Sequence, residues 1–414
     1  MSDWTAGYVA DIGYTYGYYA ELNPLRLHLA FLNAGLVPPA VGAACELGFG
    51  QGLSVNLHAA AGMTHWHGTD FNPSQAGFAR KLAQVAGSGA NLSDESFVQF
   101  CARDDLPDFD YIGLHGIWSW ISDENRTVIV DFLRRKLRVG GVLYISYNTQ
   151  PGWAAMVPMR DLLIEHAEVL GADGAGIVSR IDSALAFADQ LLAANPAFVR
   201  ANPQIAERIN RIKEQNRHYL AHEVQPAADV SLKVSGSLGE ATLQESVYRP
   251  FLEQLADHRP RTLGQLEKAL KDTGISFPQV LQAALVLSAT GALLPAQEEA
   301  VISKARKCTD RLNSHLMMKA RGSNDLSHLA SPVTGGGISV PRFQQLFLLA
   351  RCRGHKQPQE WAGFVWEILS LQGQRLVKDG KALEDANANL AELTEQAQVF
   401  ADQQLPILKA LQIA

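Results

Sequence analysis

The stretch CELGFGQGLS, from Cys45 to Ser54, constrains the fold of this chain more than any other. An apolar run leads into Glu46, and three glycines follow on alternate positions. These glycines are Gly48, Gly50 and Gly52. Glycine allows a sharp turn and a close approach of the backbone to a ligand. A helix that begins at Leu53 would direct its amide groups and positive dipole end at that ligand. The pattern predicts the first strand, loop and helix of a nucleotide-binding sheet.

Two acidic residues discriminate between the cofactors that such a loop can hold. In the dinucleotide fingerprint G-x-G-x-x-G the last glycine lies where this chain has Leu53, since Gly52 arrives one residue early. Glu46 would repel the phosphates of a dinucleotide but attract the ammonium group of S-adenosylmethionine. Asp70, with Phe71 beside it, ends the second predicted strand and suits the ribose hydroxyls of either cofactor. We therefore predict S-adenosylmethionine, with a purely structural turn as the alternative.

The N-terminal third alternates short apolar runs with helical patterns, which is typical of βαβ units and a parallel sheet. Predicted strands cover 41–49, 63–71, 95–102, 109–116 and 141–149, and predicted helices cover 23–35, 53–62, 72–87 and 123–141. Pro24 and Pro73 are expected in first helical turns, Asn72 as a cap, and Gly35 as a stop. Two glycines, at 140 and 141, are expected to close the last of these helices.

The remainder of the chain changes character. Residues 153–220 are predicted to be helical almost throughout. Residues 224–243 are punctuated by Pro, Gly and Ser and indicate a linker or hairpin. A helix–turn–helix within 262–296, followed by a short strand, resembles a winged helix. Further helices are predicted at 340–352 and 360–377. HLASPVTGGG (328–337) is predicted to be a surface loop, with a binding loop as the alternative.

Several longer motifs carry a resemblance to a known family. They are YTYGYYAELNP, CELGFGQG, HGIWSWISDENR, SYNTQPGW, SPVTGGG, RFQQLFLLA and EWAGFVWEIL. With them the chain resembles class I S-adenosylmethionine-dependent methyltransferases, and more narrowly the family with a methyltransferase regulatory domain. That family includes bacterial lysine methyltransferases of outer-membrane proteins.

The resemblance implies an α/β protein: a Rossmann-like methyltransferase domain, a helical insert and a mostly α C-terminal domain like a winged helix. The expected divisions are a Rossmann-like cofactor domain (1–155), a helical dimerisation segment (156–224), a linker or hairpin (225–242) and a helical accessory domain (243–414). A homodimer is an expectation that follows from the helical segment.

The sequence departs from the family at two places. Class I enzymes often have an acid four residues before a Leu-Pro pair, where this chain has Ala102. Either Asp104 or Asp105 is then expected to meet the adenine amine, and the sequence does not choose between them. The segment after Glu223 is shorter than in relatives, which puts the last strands of the sheet in doubt.

Aromatic and histidine residues are candidates for the remaining site. Tyr14, Tyr16, Tyr18 and Tyr19 would form a lid over the cofactor, of which Tyr14 and Tyr18 are the selected contacts. His115, after the fourth strand, would contact the cofactor or take a proton. Trp118, Trp120, Tyr147 and Asn148 would line the acceptor site, with His115, Trp118 and Tyr147 as the catalytic candidates. The alternative for each is ordinary packing.

Composition excludes other classes of function. The net charge of -6 argues against a nucleic-acid partner, and the reading helix of the winged-helix pattern has no Lys or Arg. His65 and His67 have metal-like spacing without a third ligand nearby, so no metal is predicted. The four dispersed cysteines indicate free thiols. With no signal peptide and no apolar run of about 18 residues, a cytoplasmic protein without a membrane span is expected.

The sequence is compatible with three functions. The first is methyl transfer to a protein lysine or related amine, and the second is methyl transfer to a small molecule or saccharide on the same scaffold. The third is a non-catalytic, cofactor-binding regulator of a partner.

Overall fold

The computed structural model describes residues 14–150, 152–170, 177–215, 232–236, 239–378 and 381–414. Its main sheet contains β1 (Ala43–Leu47), β2 (His65–Thr69), β3 (Asn91–Ser93), β4 (Phe109–Leu114) and β5 (Leu137–Ile145). The strands lie in the order β3-β2-β1-β4-β5. β1 pairs in parallel with β2 and β4, and β2 pairs in parallel with β3. This order is the Rossmann-like one and confirms the predicted fold class.

Local sequence signals account for the helices of this sheet. They are α1 (Leu27–Asn33), α2 (Leu53–Ala61), α3 (Pro73–Ala86), α4 (Phe97–Cys101) and α5 (Asp123–Lys136). As predicted, α3 begins at Pro73, and the Asn72 side chain accepts hydrogen bonds from Ser74 N and Gln75 N (3.0 and 3.4 Å). Gly35 follows α1 with a φ of 68°. Caps and turn glycines thus lie where their chemistry places them.

The prediction of the third strand at 95–102 is wrong. Residues Phe97–Cys101 form helix α4, and the strand lies earlier, at Asn91–Ser93. A capping box explains the difference, because Ser96 Oγ accepts from Gln99 N while the Gln99 side chain accepts from Ser96 N. Of the apolar run that resembled a strand, Phe100 and Cys101 are the buried residues of a short helix, and Val98 is 56% exposed.

The predicted boundary between the fifth helix and strand is also wrong. The helix ends at Lys136, and β5 follows at once, so the two glycines lie inside the strand. Lys136 Nζ donates to Leu106 O (2.6 Å), and Arg138 pairs with Asp110 of β4 (2.8 Å). These contacts hold the chain beside β4 before the glycines are reached.

The middle of the chain is helical in its described part, as predicted. Its helices are α6 (Val157–Val169), α7 (Ile177–Ala194), α8 (Ala197–Ala201) and α9 (Gln204–Gln215). Met156, Met159, Ala188, Ile205 and Ile209 form their common core. The YLAHE run and the shortened segment after Glu223 lie outside the described residues, as does the start of the chain, where no signal peptide is predicted.

A small helical cluster follows a hairpin. The elements are β6 (Lys233–Gly236), β7 (Gly239–Thr242), α10 (Glu245–Glu253), α11 (Leu263–Ala269) and α12 (Phe277–Ala289). β6 and β7 pair in antiparallel fashion, so the hairpin alternative for this region is confirmed over its described residues. The prediction of a short strand after α12 is wrong, because residues 290–298 form a turn and a loop. The winged-helix likeness stays a prediction.

The C-terminal region is built from long helices and short hairpins. Its elements are α13 (Glu299–Lys319), β8 (His328–Ser331), β9 (Gly336–Ser339), α14 (Arg342–Cys352), α15 (Pro358–Leu371), β10 (Val377–Lys378), β11 (Lys381–Ala382), α16 (Ala386–Val399) and α17 (Leu405–Ala410). The prediction of a surface loop at 328–337 is wrong. These residues form most of the β8–β9 hairpin, whose strands and turn are largely buried. The hairpin is buried because α2 and α13 pack against it.

The described chain divides into two compact units. The first contains Tyr14, Leu114–Val128 and the described residues of 145–220. The second contains Thr15–Gly113, Ile129–Tyr144 and the described residues of 221–414. The predicted domain boundaries stay predictions. No helix in the described ranges has the length and apolar character needed to span a membrane.

Candidate cofactor and acceptor sites

The glycine loop of the second unit joins β1 to α2 through a series of left-handed turns. Gly48, Gly50 and Gly52 have φ values of 72°, 58° and 68°. Such values disfavour every residue with a Cβ. At Gly52 a Cβ would also lie only 2.5 Å from the Cβ of Ala79 in α3. The predicted need for glycine in this loop is therefore conformational at each position and also steric at Gly52.

Asp70 holds the loop in place. Its Oδ2 accepts from Gly50 N (2.9 Å), and its Oδ1 accepts from Asn72 N (3.0 Å). Burial raises the pKa of Asp70, and these two backbone hydrogen bonds oppose the rise. Each carboxylate oxygen keeps a second acceptor position. Asp70 can therefore fix the loop and still accept ligand hydroxyls.

Glu46 is a buried carboxyl with unused hydrogen-bonding capacity. Its side chain is 3% exposed, and its Oε2 has no hydrogen-bond partner among the residues described. Burial, and second the neighbouring Asp70, raises its pKa from 4.5 to about 8. In register, Gly68 of β2 and Gly113 of β4 flank it, and neither adds a side chain. A cationic ligand would supply the partner that this carboxyl lacks.

The two acids proposed for the adenine lie on the surface. Asp104 and Asp105 are exposed, and Asp105 forms a double hydrogen bond with Arg103 (2.8 and 2.6 Å) that lowers its pKa. Arg103 also pairs with Glu95 (3.1 Å). The true β3 ends at Ser93, so Asp94 and Glu95 follow it directly. Sequence reasoning missed both, because it placed Glu95 within the third strand.

The tyrosines of the predicted lid have different surroundings. Tyr18 is packed between two histidine rings, with its centroid 5.4 Å from that of His58 and 5.1 Å from that of His328. Its hydroxyl lies 3.3 Å from His58 Nε2. Tyr16 contacts Phe78 edge to face. In the first unit, Tyr14 is half exposed. Tyr16 and Tyr18 thus make packing contacts, and the role of the tyrosines as a lid stays a prediction.

The loops after β4 and β5 meet in the first unit. Gly116 N donates to Ser146 Oγ (2.7 Å), and Asn148 N donates to Ser119 Oγ (2.9 Å). The candidates on these loops are His115, Trp118, Trp120, Tyr147 and Asn148. The guanidinium of Arg126 lies over the Trp118 ring at 6.0 Å, and its Nε donates to Trp118 O (3.2 Å). Trp120 and Tyr147 are more than half exposed. The structure thus brings the predicted acceptor residues together on adjacent loops.

The metal question concerns His65 and His67, which lie on one face of β2. Within the ranges that the structure describes, no group of three His, Cys, Asp or Glu side chains is arranged to hold a metal ion. His67 instead contacts Phe109 edge to face, at 5.5 Å between ring centroids.

Comparison with other proteins defines the relationship of the chain. The uncharacterized protein sll1526 of Synechocystis sp. (strain ATCC 27184 / PCC 6803 / Kazusa) is 35% identical over 513 aligned residues, covering 99% of this chain and 100% of the relative. The chain belongs to the sll1526 family. Because the alignment is longer than the 414-residue chain, sll1526 has residues at positions where this member of the family has gaps. No protein-family model matches the chain.

Solved structures show the fold of this sll1526-family member. PKMT2 from Rickettsia typhi in complex with AdoHcy superposes with a TM-score of 0.62 at 15% identity, over 98% of this chain and 100% of that one. A second structure of PKMT2 from Rickettsia typhi superposes with a TM-score of 0.54 at 16% identity, over 94% of this chain and 98% of that one. At these identities the likeness concerns the fold, which is shared along nearly the whole length of the chain.

Proposed function

We propose that the protein is an S-adenosylmethionine-dependent methyltransferase. The observation that carries this proposal is the buried Glu46 carboxyl near the end of β1, next to the glycine loop, whose Oε2 has no hydrogen-bond partner among the residues described. A ligand with an ammonium group fits this position, whereas the phosphates of a dinucleotide would lie against a carboxylate. The shared fold of PKMT2, solved with AdoHcy, supports the same class of cofactor.

Each part of the proposed cofactor site has a residue suited to it. Glu46 would hold the ammonium group, and Asp70 would accept the ribose hydroxyls through its remaining lone pairs. The left-handed glycine loop would bring backbone amides close to the ligand without side chains in the way. Phe71, Tyr18, Asp104 and Asp105 are the further proposed contacts within the second unit. Tyr14 and His115, which the sequence also predicted as contacts, belong to the first unit. Glu95, which follows the true β3, is added to Asp104 and Asp105 as a candidate for the adenine.

The loops of the first unit would receive the methyl acceptor. S-adenosylmethionine supplies an activated methyl group, so the protein's task is to position the acceptor in line and exclude water. An amine acceptor must be neutral to react, and aromatic surroundings favour its neutral form. We assign His115 to proton transfer or cofactor contact and Trp118 and Tyr147 to the acceptor walls.

The proposed acceptor is a protein lysine or a related amine, following the family resemblance of the sequence. A small-molecule or saccharide acceptor is the second candidate, because this chain lacks residues that its relative sll1526 has. Methyl transfer from labelled cofactor to fractionated cell extract separates them. Label in protein supports the first, and label confined to low-mass products contradicts it.

A homodimer formed by 156–224 belongs to the same proposal, and light scattering in solution tests it.

Calorimetric titration tests the cofactor itself. We expect binding of S-adenosylmethionine and S-adenosylhomocysteine, and at least about tenfold weaker binding after Glu46→Gln, as for the loss of a charged hydrogen bond. Glu253→Gln, at an exposed site on α10, is the matched control. Binding of NAD alone would contradict the proposal. Cofactor binding with no S-adenosylhomocysteine produced from any extract fraction would favour the non-catalytic regulator.

A further inference from the structure

The segment 15–23, here called the strap, leads into the first turn of the Rossmann-like domain. Two of its backbone groups lie against Ser54, the second residue of α2. Tyr19 N donates to Ser54 Oγ (2.8 Å), and Ser54 Oγ lies 3.5 Å from Gly17 O. Because the glycine loop leads directly into α2, the strap is attached beside the proposed cofactor loop.

The β8–β9 hairpin, more than 300 residues along the chain, holds the other side of the strap. Asn23 is 6% exposed, and its Nδ2 donates to Thr334 O (3.1 Å) and Gly335 O (3.3 Å) at the hairpin turn. Its Oδ1 accepts from Leu25 N (3.0 Å) and caps the turn that follows. The Asn23 side chain therefore joins the strap to the hairpin through its nitrogen and to the helical turn that follows through its oxygen.

The glycines of β9 make this contact close. A Cβ at Gly336 would collide with Tyr18 Oη and lie 3.0 Å from Asn23 Nδ2. A Cβ at Gly337 would lie 3.0 Å from the Tyr18 ring and 2.9 Å from Leu57 Cδ1. Gly336 and Gly337 do not have a positive φ, so backbone conformation does not require glycine there. Glycine is needed at both positions because the Tyr18 side chain occupies the space that a Cβ would fill.

We propose that Asn23, Gly336 and Gly337 form a latch by which the C-terminal hairpin fixes the strap on α2 and so sets the affinity of the protein for its cofactor. The effect on cofactor affinity rests on the proposed function, whereas the attachment of the strap to α2 by the hairpin does not. The physical reason is preorganisation: a strap already ordered by the hairpin does not have to be ordered when ligand binds. The three residues are positioning residues and are not assigned to the chemistry.

Two variants break the latch in different ways. Asn23→Asp keeps the oxygen that caps the following turn but replaces the donor to the hairpin with a carboxylate that faces two carbonyls. Gly336→Ala adds only the colliding methyl group. Gly363→Ala, in α15, is the matched control because a Cβ there meets nothing within 4 Å.

The experiment measures two quantities on the full chain, below the unfolding temperature of every variant. They are hydrogen–deuterium exchange of the strap and affinity for S-adenosylhomocysteine by calorimetry. We expect both latch variants to exchange faster in the strap while peptides of α15 stay unchanged, and to bind at least about tenfold more weakly. The control should match the parent protein in both.

The outcomes separate the two proposals. Unchanged strap exchange in both latch variants overturns the latch, whatever the ligand does. Faster strap exchange with affinity within twofold of the parent overturns its role in binding. If the parent itself does not bind S-adenosylhomocysteine, the proposed cofactor is wrong, and the exchange data alone still decide whether the hairpin fixes the strap.

Discussion

At the scale of single residues, Glu46 dominates the electrostatics of the proposed cofactor site. It combines burial, an unpartnered oxygen and a pKa raised to about 8. Nothing in the described surroundings neutralises this carboxyl, so its charge is costly in the folded protein without ligand. That cost gives predictions for stability and for binding.

The first prediction concerns stability against pH. Between about pH 4.5, the unperturbed value, and about pH 8, folded Glu46 keeps a proton that the unfolded chain has lost. The free energy of unfolding therefore falls as pH rises through this window. We expect Glu46→Gln to flatten this fall and so to gain stability relative to the parent at the upper end, measured by urea unfolding across the range. The exposed control Glu253→Gln should keep the parent profile, and an unchanged profile in Glu46→Gln would contradict the burial argument.

The second prediction concerns binding against pH. A bound ammonium group favours ionised Glu46, so binding should release a proton below about pH 8. We expect affinity for S-adenosylhomocysteine to rise with pH up to that value. Calorimetry in buffers of different ionisation enthalpy measures the released proton directly. Glu46→Gln should release none at this site, and equal proton release by parent and variant would exclude Glu46 as the source.

At the scale of elements, helix α4 is the clearest departure from the sequence prediction. An apolar run at 95–102 was consistent with a strand, but the Ser96–Gln99 capping box decides for a helix. We expect Ser96→Ala to lower the free energy of unfolding by ~1 kcal/mol, the usual effect of losing an N-cap. Ser314→Ala is the control, because Ser314 is an exposed residue inside α13 and alanine suits that position. Equal stability of both variants in urea would contradict the cap.

At the scale of the whole molecule, one hydrophobic core joins the Rossmann-like helices to the C-terminal region. Leu53 and Leu57 of α2 and Leu82 of α3 belong to the same buried cluster as Leu312 and Leu316 of α13. The C-terminal helices therefore complete the core of the sheet domain and contribute to its stability. Truncation before α13 would expose this apolar surface.

The fourth prediction tests that shared core. Leu316→Ala should lower the free energy of unfolding by about 2–5 kcal/mol, the range for a buried leucine. It should also speed hydrogen exchange in α2, although the change lies in α13. Met318→Ala, on the same helix but 42% exposed, is the control. Faster exchange confined to α13 would show that the two regions are stabilised independently.

Local chemistry allowed the sequence alone to determine several features of this protein. The glycine loop, the Asn72–Pro73 helix start and the Gly35 stop each depend on residues a few positions apart. Most strands of the sheet were likewise predictable from short apolar runs. The boundaries failed where a cap or an ion pair outweighed the pattern, as at Ser96 and Arg138.

The burial of Glu46 and the contacts of the strap depend on residues that are distant in the sequence. A pKa near 8 for Glu46 requires knowledge of every neighbour that excludes water from it. The Asn23–Thr334 bond joins residues 311 positions apart, and no local pattern specifies such a partner. The sequence predicted a surface loop for the β8–β9 hairpin because glycines are typical of turns. In the folded chain, Gly336 and Gly337 instead leave room for the Tyr18 side chain. Conformational preference acts over a few residues, but burial and close packing depend on which distant segments meet.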